Sequence, residues 1–163
     1  MDSKQKILII YQTRYGTTSK ATDYLVSKLE NAEITINNLR KEKMPDLSSF
    51  DKIIIGGSIR AGMIQPGIKK FIRKNLDLLL SVPAGLYLCC MEEDDKRIKQ
   101  FNDSFPEQLR EHATATGFFG GEFNFDRLNF LEKKIVSKAA GIEESVSKID
   151  YPAIDKFAEQ IMN

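Results

Sequence analysis

The sequence predicts an α/β protein built on a doubly wound, five-stranded parallel sheet with helices on both faces. Apolar runs of strand length alternate along the chain with segments in which apolar residues recur every three or four positions. Two of the runs are apolar throughout, as are strands that a parallel sheet buries on both faces. The length of 163 residues, 42% of them hydrophobic, suits one core, so we expect residues 1–163 to form a single domain.

Five runs have the length and composition of strands. Residues 7–11 and 53–55 are the continuous apolar runs, the second closed by Gly56 and Gly57, and we expect both at the centre of the sheet. Residues 34–39 alternate between apolar and polar side chains, which is typical of an edge strand. The two remaining predicted strands are residues 86–91 and 116–123.

Four segments between and after these runs carry helical periodicity. The first covers residues 18–29, and the second opens with Pro66, whose missing N–H costs nothing in the first turn of a helix. A third stretch spans residues 96–113, with Pro106 expected to start a new turn, and the last spans residues 152–162. With short and right-handed connections, this alternation favours a doubly wound sheet.

The composition excludes several classes of function. Lysine and arginine number 24 against 23 acidic residues, a net charge of +1, which argues against nucleic acid as a partner. With one histidine and two adjacent cysteines, Cys89 and Cys90, the chain lacks the donors for a Cys/His metal site, and we expect no metal. A Ser-His-acid triad would need His112, which lies in a charged stretch typical of an exposed helix end. No apolar run approaches the roughly 18 residues of a transmembrane helix, and the N-terminus lacks a signal-peptide pattern, so we expect a cytoplasmic protein.

The turn after the first predicted strand has the residues of a phosphate-binding loop. Residues 12–18, QTRYGTT, carry three threonine hydroxyls and one glycine and lead directly into a helix. The unpaired N–H groups of a helix N-terminus bind anions, and a terminal monophosphate would fit there without a metal. The structural alternative is that Thr17 or Thr18 is only an N-cap and Gly16 only a turn residue.

Two other nucleotide-binding motifs fail when tested against the sequence. Residues 57–62, GSIRAG, have the glycine spacing of a Walker A loop, but Met63 and Ile64 stand where lysine and serine or threonine are required. No G-x-G-x-x-G pattern follows the first strand, which disfavours a dinucleotide site of the Rossmann type.

Residues 9–21, IIYQTRYGTTSKA, resemble the signature of the flavodoxin family. The resemblance implies the strand order 2-1-3-4-5 and FMN as the cofactor, with the phosphate on the loop after the first strand. It places the isoalloxazine ring between the loops that follow the third and fourth strands. The residues implied are Thr13, Arg14, Tyr15, Gly16, Thr17 and Thr18 for the phosphate, and Ser58, Ile59, Arg60, Ala61, Gly62, Cys90, Met91, Glu92 and Glu93 for the ring.

A narrower resemblance concerns one branch of that family. TRYGTT, GGSIRAGM and a basic insertion late in the chain are similar to the menaquinone-dependent protoporphyrinogen IX dehydrogenases. This resemblance implies an FMN-dependent oxidoreductase that oxidises protoporphyrinogen IX with a quinone or another acceptor. The alternatives are a flavodoxin that carries electrons between redox proteins, and a flavodoxin-like binding module without catalytic activity.

Two departures from the electron-carrying flavodoxins favour an enzyme. Those proteins flank the ring with tryptophan or tyrosine, but this chain has no tryptophan, and its two ring loops offer Ile59, Met63 and Met91. A less enclosed ring leaves room for a second planar molecule. The carriers are also strongly acidic, which the net charge of +1 does not match. Arg60 either faces the ring, where it would favour the anionic reduced flavin, or pairs with a carboxylate in solvent.

The insertion at about residues 124–150 falls outside the minimal alternation of strands and helices, and we expect a helix of its own over residues 128–140. In residues 123–140, aromatic side chains are interleaved with arginine and lysine, among them Lys133 and Lys134. Such a surface would suit a porphyrin with anionic propionates, or peripheral contact of residues 124–140 with the inner face of the membrane. The alternative is that its apolar residues pack on the domain while the lysines face solvent.

Overall fold

The computed structural model describes residues 3–13, 16–123, 131, 133–134, 137–138 and 146–163. Strands and helices alternate over this part of the chain, and the predicted α/β class is confirmed. Within these residues, no helix combines the length and apolar character needed to cross a membrane.

Eight strands, five helices and one 3₁₀ turn have both of their ends among the described residues. The strands are β1 (Gln5–Tyr11), β2 (Ala32–Asn38), β3 (Lys52–Arg60), β4 (Met63–Ile64), β5 (Ala84–Cys89), β6 (Ala115–Phe118), β7 (Gly120–Phe123) and β8 (Val146–Ile149). The helices are α1 (Thr17–Ser27), α2 (Pro66–Leu79), α3 (Asp94–Ser104), α4 (Glu107–His112) and α5 (Tyr151–Met162), and the 3₁₀ turn is Leu47–Ser49.

The main sheet is parallel and has the order β2-β1-β3-β5-β6. This is the predicted order 2-1-3-4-5, because the two-residue strand β4 only folds back antiparallel on the end of β3. Ile9 of β1 lies between Ile36 of β2 and Ile54 of β3. The order reverses between β1 and β3, so the point where ligands bind in such sheets lies at their carboxyl ends.

Alternate residues of the central strands enter two cores, one on each face of the sheet. Leu8 and Ile53 belong to the core that α2, α3 and α4 cover, whereas Ile9 and Ile54 belong to the core that α1 and α5 cover. All four are completely buried, which confirms β1 and β3 as central strands. β2 forms one edge of the sheet, as its alternating pattern predicted.

The predicted end of β3 at its two glycines was wrong. The strand continues through Gly56 and Gly57 to Arg60. The Tyr87 ring packs directly over Gly56, where a Cβ atom would stand 1.9 Å from its Cζ atom. The glycines therefore leave space for packing within the strand and do not terminate it.

The fifth predicted strand, residues 116–123, is in fact two strands that belong to different sheets. β6 ends at Phe118, Phe119 is completely buried, and Gly120 has a left-handed backbone with φ of 75°. β7 then leaves the main sheet and pairs antiparallel with β8. The insertion therefore begins at Gly120, four residues before its predicted start.

The third predicted helix, residues 96–113, is also divided. α3 ends at Ser104, and Pro106 is the extended residue that precedes α4. Proline lacks the N–H that would continue the first helix, so the chain starts a new one. In the predicted insertion helix over residues 128–140, residues 131, 133–134 and 137–138 are helical, and the others lie outside the described residues.

Candidate functional site

The three predicted ligand-binding loops meet at the carboxyl edge of the main sheet. Tyr11, the last residue of β1, is in register with Gly56 of β3, and Ser58 of β3 is in register with Cys89 of β5. Since neighbouring parallel strands end at the same edge, the loops that follow them are adjacent. The sequence-predicted residues that the structure describes are thus brought to one place.

Gly16 shapes the beginning of α1. It is the N-cap residue, it has a left-handed backbone with φ of 86°, and no side chain caps the helix. The Gly16 N–H instead donates to Thr13 Oγ1 at 3.2 Å, which closes the loop on itself. The alternative that Thr17 or Thr18 is the N-cap is therefore wrong. The first turn of α1 has unpaired N–H groups and carries no acidic side chain. This end of the helix is therefore suited to bind an anion.

Thr17 and Thr18 are both buried but differ in their hydrogen bonding. The Thr17 hydroxyl donates to the carbonyl oxygen of Glu122 in β7 at 3.1 Å. Thr18 is completely buried, and its Oγ1 atom has no hydrogen-bond partner among the described residues. The Thr18 hydroxyl also lies beside the Cys89 thiol, which is a weak hydrogen-bond partner, so it keeps the capacity to donate to a stronger acceptor such as a phosphate oxygen. Arg14 and Tyr15, the other two predicted residues of this loop, lie outside the described residues.

The second predicted loop is a hairpin between β3 and β4. Two hydrogen bonds between Ser58 and Gln65 close the base of this hairpin. The Ser58 N–H donates to Gln65 Oε1 at 3.2 Å, and Gln65 Nε2 donates to Ser58 Oγ at 2.6 Å. Ala61 and Gly62 make the turn, with φ of 51° and 79°. Around Gly62 no atom lies within 4 Å of the position of a Cβ, so the backbone is open to a flat ligand. Of the remaining predicted residues, Ile59 is half-buried and Arg60 is exposed.

The third predicted loop follows β5 and packs against the ribbon formed by β7 and β8. Cys90 is buried, and Met91 is half-buried with its sulfur against Gly121 of β7. Met91 therefore supports the ribbon, whereas Met63 at the hairpin is 60% exposed. The predicted residues Glu92 and Glu93 are exposed and lead into α3.

A cavity of about 100 Å³ lies between part of this loop and the ribbon, beside the contact of Met91 with Gly121. The Arg97 guanidinium lies 4.5 Å from the centre of the Phe118 ring on its wall, and Arg97 Nε has no hydrogen-bond partner among the described residues. Lys148 and Asp150 of the insertion also line it.

The two cysteines at the end of β5 are both buried. Burial raises the pKa of Cys89 to about 12, an effect that the nearby Thr18 hydroxyl opposes. Burial also raises the pKa of Cys90 to about 11. Both side chains are therefore neutral thiols near pH 7 and are not activated nucleophiles.

Sequence reasoning missed two polar residues of this edge, and it gave no role to Gln12, the first residue of the predicted phosphate-binding loop. Gln65 pins the hairpin, and Glu122 meets the start of α1 from the insertion. Gln12 lies against Gly67 at the start of α2, and its Oε1 atom is buried without a partner among the described residues. A polar residue directly after a buried strand was the available signal for Gln12, but no local pattern marked Glu122.

A doubly wound parallel sheet with a helix N-terminus suited to an anion at its switch point is typical of α/β proteins that bind mononucleotides. Within that class, the family model described as the flavodoxin domain matches residues 8–150, and the chain belongs to this family. The protein is thus a flavoprotein with FMN as its cofactor, as the sequence predicted.

Comparison with individual proteins agrees with both predicted resemblances. The chain is 25% identical over 170 residues to protoporphyrinogen IX dehydrogenase [quinone] of Escherichia coli K12, covering 96% of this chain and 94% of that one. The fold is similar to a flavodoxin from Streptococcus pneumonia TIGR4, with a TM-score of 0.61, 15% identity, and 96% and 97% of the two chains covered. A flavodoxin mutant from Fusobacterium nucleatum, solved with flavin mononucleotide bound, aligns with a TM-score of 0.52 and 15% identity over 98% and 96% of the chains.

Proposed function

We propose that the protein is an FMN-dependent oxidoreductase that oxidises protoporphyrinogen IX and passes the electrons to a quinone. The observation that carries this proposal is the match, over nearly the whole of both chains, to the protoporphyrinogen IX dehydrogenase of Escherichia coli. The near-neutral charge and the absence of tryptophan support it, because an electron carrier uses a strongly acidic surface and an enclosed ring.

In this proposal, the loop between β1 and α1 holds the FMN phosphate. The first-turn N–H groups behind Gly16 and the Thr18 hydroxyl donate to its oxygens. The buried Oε1 atom of Gln12 needs a donor, and the hydroxyl groups of the ribityl chain supply one. Each buried polar atom that lacks a protein partner at this loop then gains one from the cofactor.

The flavin ring lies between the β3–β4 hairpin and the loop after β5 in this proposal. FMN supplies the redox chemistry when bound, and the chain orients it and leaves one side accessible. The hydrogen bonds between Ser58 and Gln65 hold the hairpin, and the turn at Gly62 lets backbone N–H groups approach the ring edge. Met63, largely exposed, offers an apolar contact to a porphyrinogen or quinone.

The cofactor part of the proposal is tested on the purified protein. We expect a yellow protein with flavin absorbance, and we expect Gly16→Asp or Thr18→Val to lose FMN, because the first adds a negative side chain at a left-handed position and the second removes a donor. A colourless protein that does not take up added FMN would favour the binding-module alternative.

Anaerobic mixing tests the reaction. We expect protoporphyrinogen to bleach the flavin absorbance and a menaquinone analogue to restore it. The similarity of the fold to flavodoxins favours one alternative, an electron carrier. A flavin that exchanges electrons rapidly with a flavodoxin reductase but is not reduced by protoporphyrinogen would establish the carrier and refute the enzyme.

The insertion is proposed to contact the substrate or the membrane through its cations. Changing Lys133 and Lys134 to glutamate is then expected to weaken porphyrinogen turnover or liposome association without loss of FMN. The matched control changes Lys41 and Lys43, two exposed lysines of the segment after β2. Turnover and liposome association equal to those of the control would refute this role.

A further inference from the structure

Among the described residues, Glu122 of β7 makes the hydrogen bonds that link the ribbon of the insertion to the start of α1. Glu122 of β7 accepts the Thr17 hydroxyl on its carbonyl oxygen at 3.1 Å. Its carboxylate accepts from the Lys20 ammonium with both oxygens, at 3.1 and 3.0 Å. Behind it, Gly121 packs on Met91, which holds β7 close to the loop after β5.

This contact places a carboxylate beside a helix end that attracts anions. The Glu122 side chain is only 13% exposed, while that of Lys20 is 63% exposed. Lys20 belongs to the first turns of α1, where the helix dipole favours negative charge. The Glu122 carboxylate lies at this favourable end of the helix and pairs with the Lys20 ammonium. A phosphate bound at the same end would otherwise attract that ammonium.

We propose that the Glu122 carboxylate sets the affinity of the protein for the phosphate of FMN by withdrawing Lys20 from it. The inference rests on the proposed position of the phosphate at the start of α1. Glu122 is a positioning residue: its carboxylate acts through Lys20, while its backbone carbonyl accepts the Thr17 hydroxyl and fixes the ribbon. Its carboxylate weakens the binding of an anionic cofactor, and its pairing with Lys20 limits that loss.

The test compares FMN with riboflavin, which has the same ring and ribityl chain but no phosphate. Apoprotein is titrated with each flavin, and the dissociation constant is taken from the quenching of flavin fluorescence. The variants are Glu122→Gln, Lys20→Met and the double variant. Asp155→Asn is the matched control, because Asp155 pairs with Lys28 at the opposite end of α1, at 3.8 Å.

We expect Glu122→Gln to tighten FMN binding roughly three- to tenfold and to leave riboflavin binding unchanged. Lys20→Met should weaken FMN binding by a similar factor, because the Glu122 carboxylate then stands uncompensated. The double variant should return close to the wild type. In about 1 M KCl, where the Debye length is about 3 Å, these differences should shrink. Asp155→Asn should change neither flavin's affinity.

Three results would overturn the proposal. Unchanged FMN affinity in Glu122→Gln would mean that its carboxylate does not act on the phosphate. Equal weakening of FMN and riboflavin binding in that variant, with a lowered thermal midpoint, would leave Glu122 only a structural anchor. A wild-type protein that binds FMN no more tightly than riboflavin would refute the phosphate position itself, and so would separate failure of the proposed function from failure at Glu122 alone.

Discussion

Tyr87 is the side chain around which the core on the α1 and α5 side of the sheet is arranged. It is completely buried, stacks on Phe119 with 4.4 Å between ring centres, and lies over Gly56. Its hydroxyl is hydrogen-bonded to the Thr22 hydroxyl of α1 at 2.5 Å. Burial of the phenol raises its pKa well above the ordinary value.

Tyr87→Phe should destabilise the protein by about 1–2 kcal/mol, because it leaves the buried Thr22 hydroxyl without its partner. Urea unfolding followed by circular dichroism measures the change. Tyr24→Phe is the matched control: its hydroxyl donates to Asp155 in a partly buried site, and its loss should cost less than about 0.5 kcal/mol. Equal losses of stability in the two variants would mean that burial does not decide the cost of removing the hydroxyl.

The two thiols at the end of β5 give the stability a dependence on alkaline pH. An unfolded cysteine has a pKa of about 8.5, while burial raises the pKa of Cys90 to about 11 and that of Cys89 to about 12. The folded state therefore retains protons that the unfolded state releases, and the free energy of unfolding should fall as pH rises from about 9 towards 11. The double variant Cys89→Ala/Cys90→Ala should show a smaller decline, measured by urea unfolding at several pH values across that range. An unchanged dependence of the unfolding free energy on pH would contradict the role given to the two thiols.

Gly120 lies at the turn between β6 of the main sheet and β7 of the ribbon. Its φ of 75° turns the chain out of the main sheet after β6, and a Cβ atom there would stand 1.9 Å from the carbonyl oxygen of Lys148 in β8. The ribbon and the contact of Glu122 with α1 both depend on this turn. A local backbone requirement thus determines which strand meets the phosphate loop.

Gly120→Ala should destabilise the protein by more than about 2 kcal/mol, because backbone strain adds to a collision with backbone atoms that cannot move aside. Gly62→Ala has a similar φ of 79° but open space at the Cβ position, and should cost only about 1 kcal/mol of strain. Thermal unfolding of the two variants makes the comparison. Similar losses of stability in the two variants would show that the backbone around Lys148 shifts easily to make room for the added Cβ atom.

At the scale of the whole molecule, the main sheet and the insertion are separate in their strand pairing. The main sheet runs β2-β1-β3-β5-β6 with β4 on its edge, and β7 pairs with β8 alone. Phe123 and Val146 are in register at the outer end of that ribbon. A short turn can therefore join them without changing the sheet that carries the candidate cofactor site.

Replacing residues 124–145 by a short Asn-Gly turn should leave a folded protein that binds FMN within a few-fold of the wild-type affinity, because Phe123 and Val146 are already opposite each other. Porphyrinogen oxidation should fall sharply if the insertion receives the substrate, as proposed. Flavin titration and anaerobic turnover measure the two effects separately. Loss of FMN binding would show that the segment belongs to the cofactor site.

Much of the fold followed from local pattern. The continuous apolar runs in β1 and β3 predicted central strands, and the residues from Thr13 to Thr18 predicted the anion-binding turn, because hydrophobic periodicity and turn chemistry act over a few neighbouring positions. The local pattern predicted wrongly that β3 ends at its two glycines. Gly56 and Gly57 resemble a strand end in sequence, yet they accommodate Tyr87 and Ile64, which come from later segments of the chain.

The sequence by itself determined the α/β class and the flavodoxin family, since both depend on residues close together in the chain, and the resemblance to that family supplied the strand order. The tertiary structure alone decided that β7 leaves the sheet and that Glu122 meets Lys20, 102 positions away. The physical reason is that an ion pair between distant residues forms only where packing of the surrounding elements brings them together. No local periodicity records that packing, so the electrostatics at the start of α1 became visible only in the folded chain.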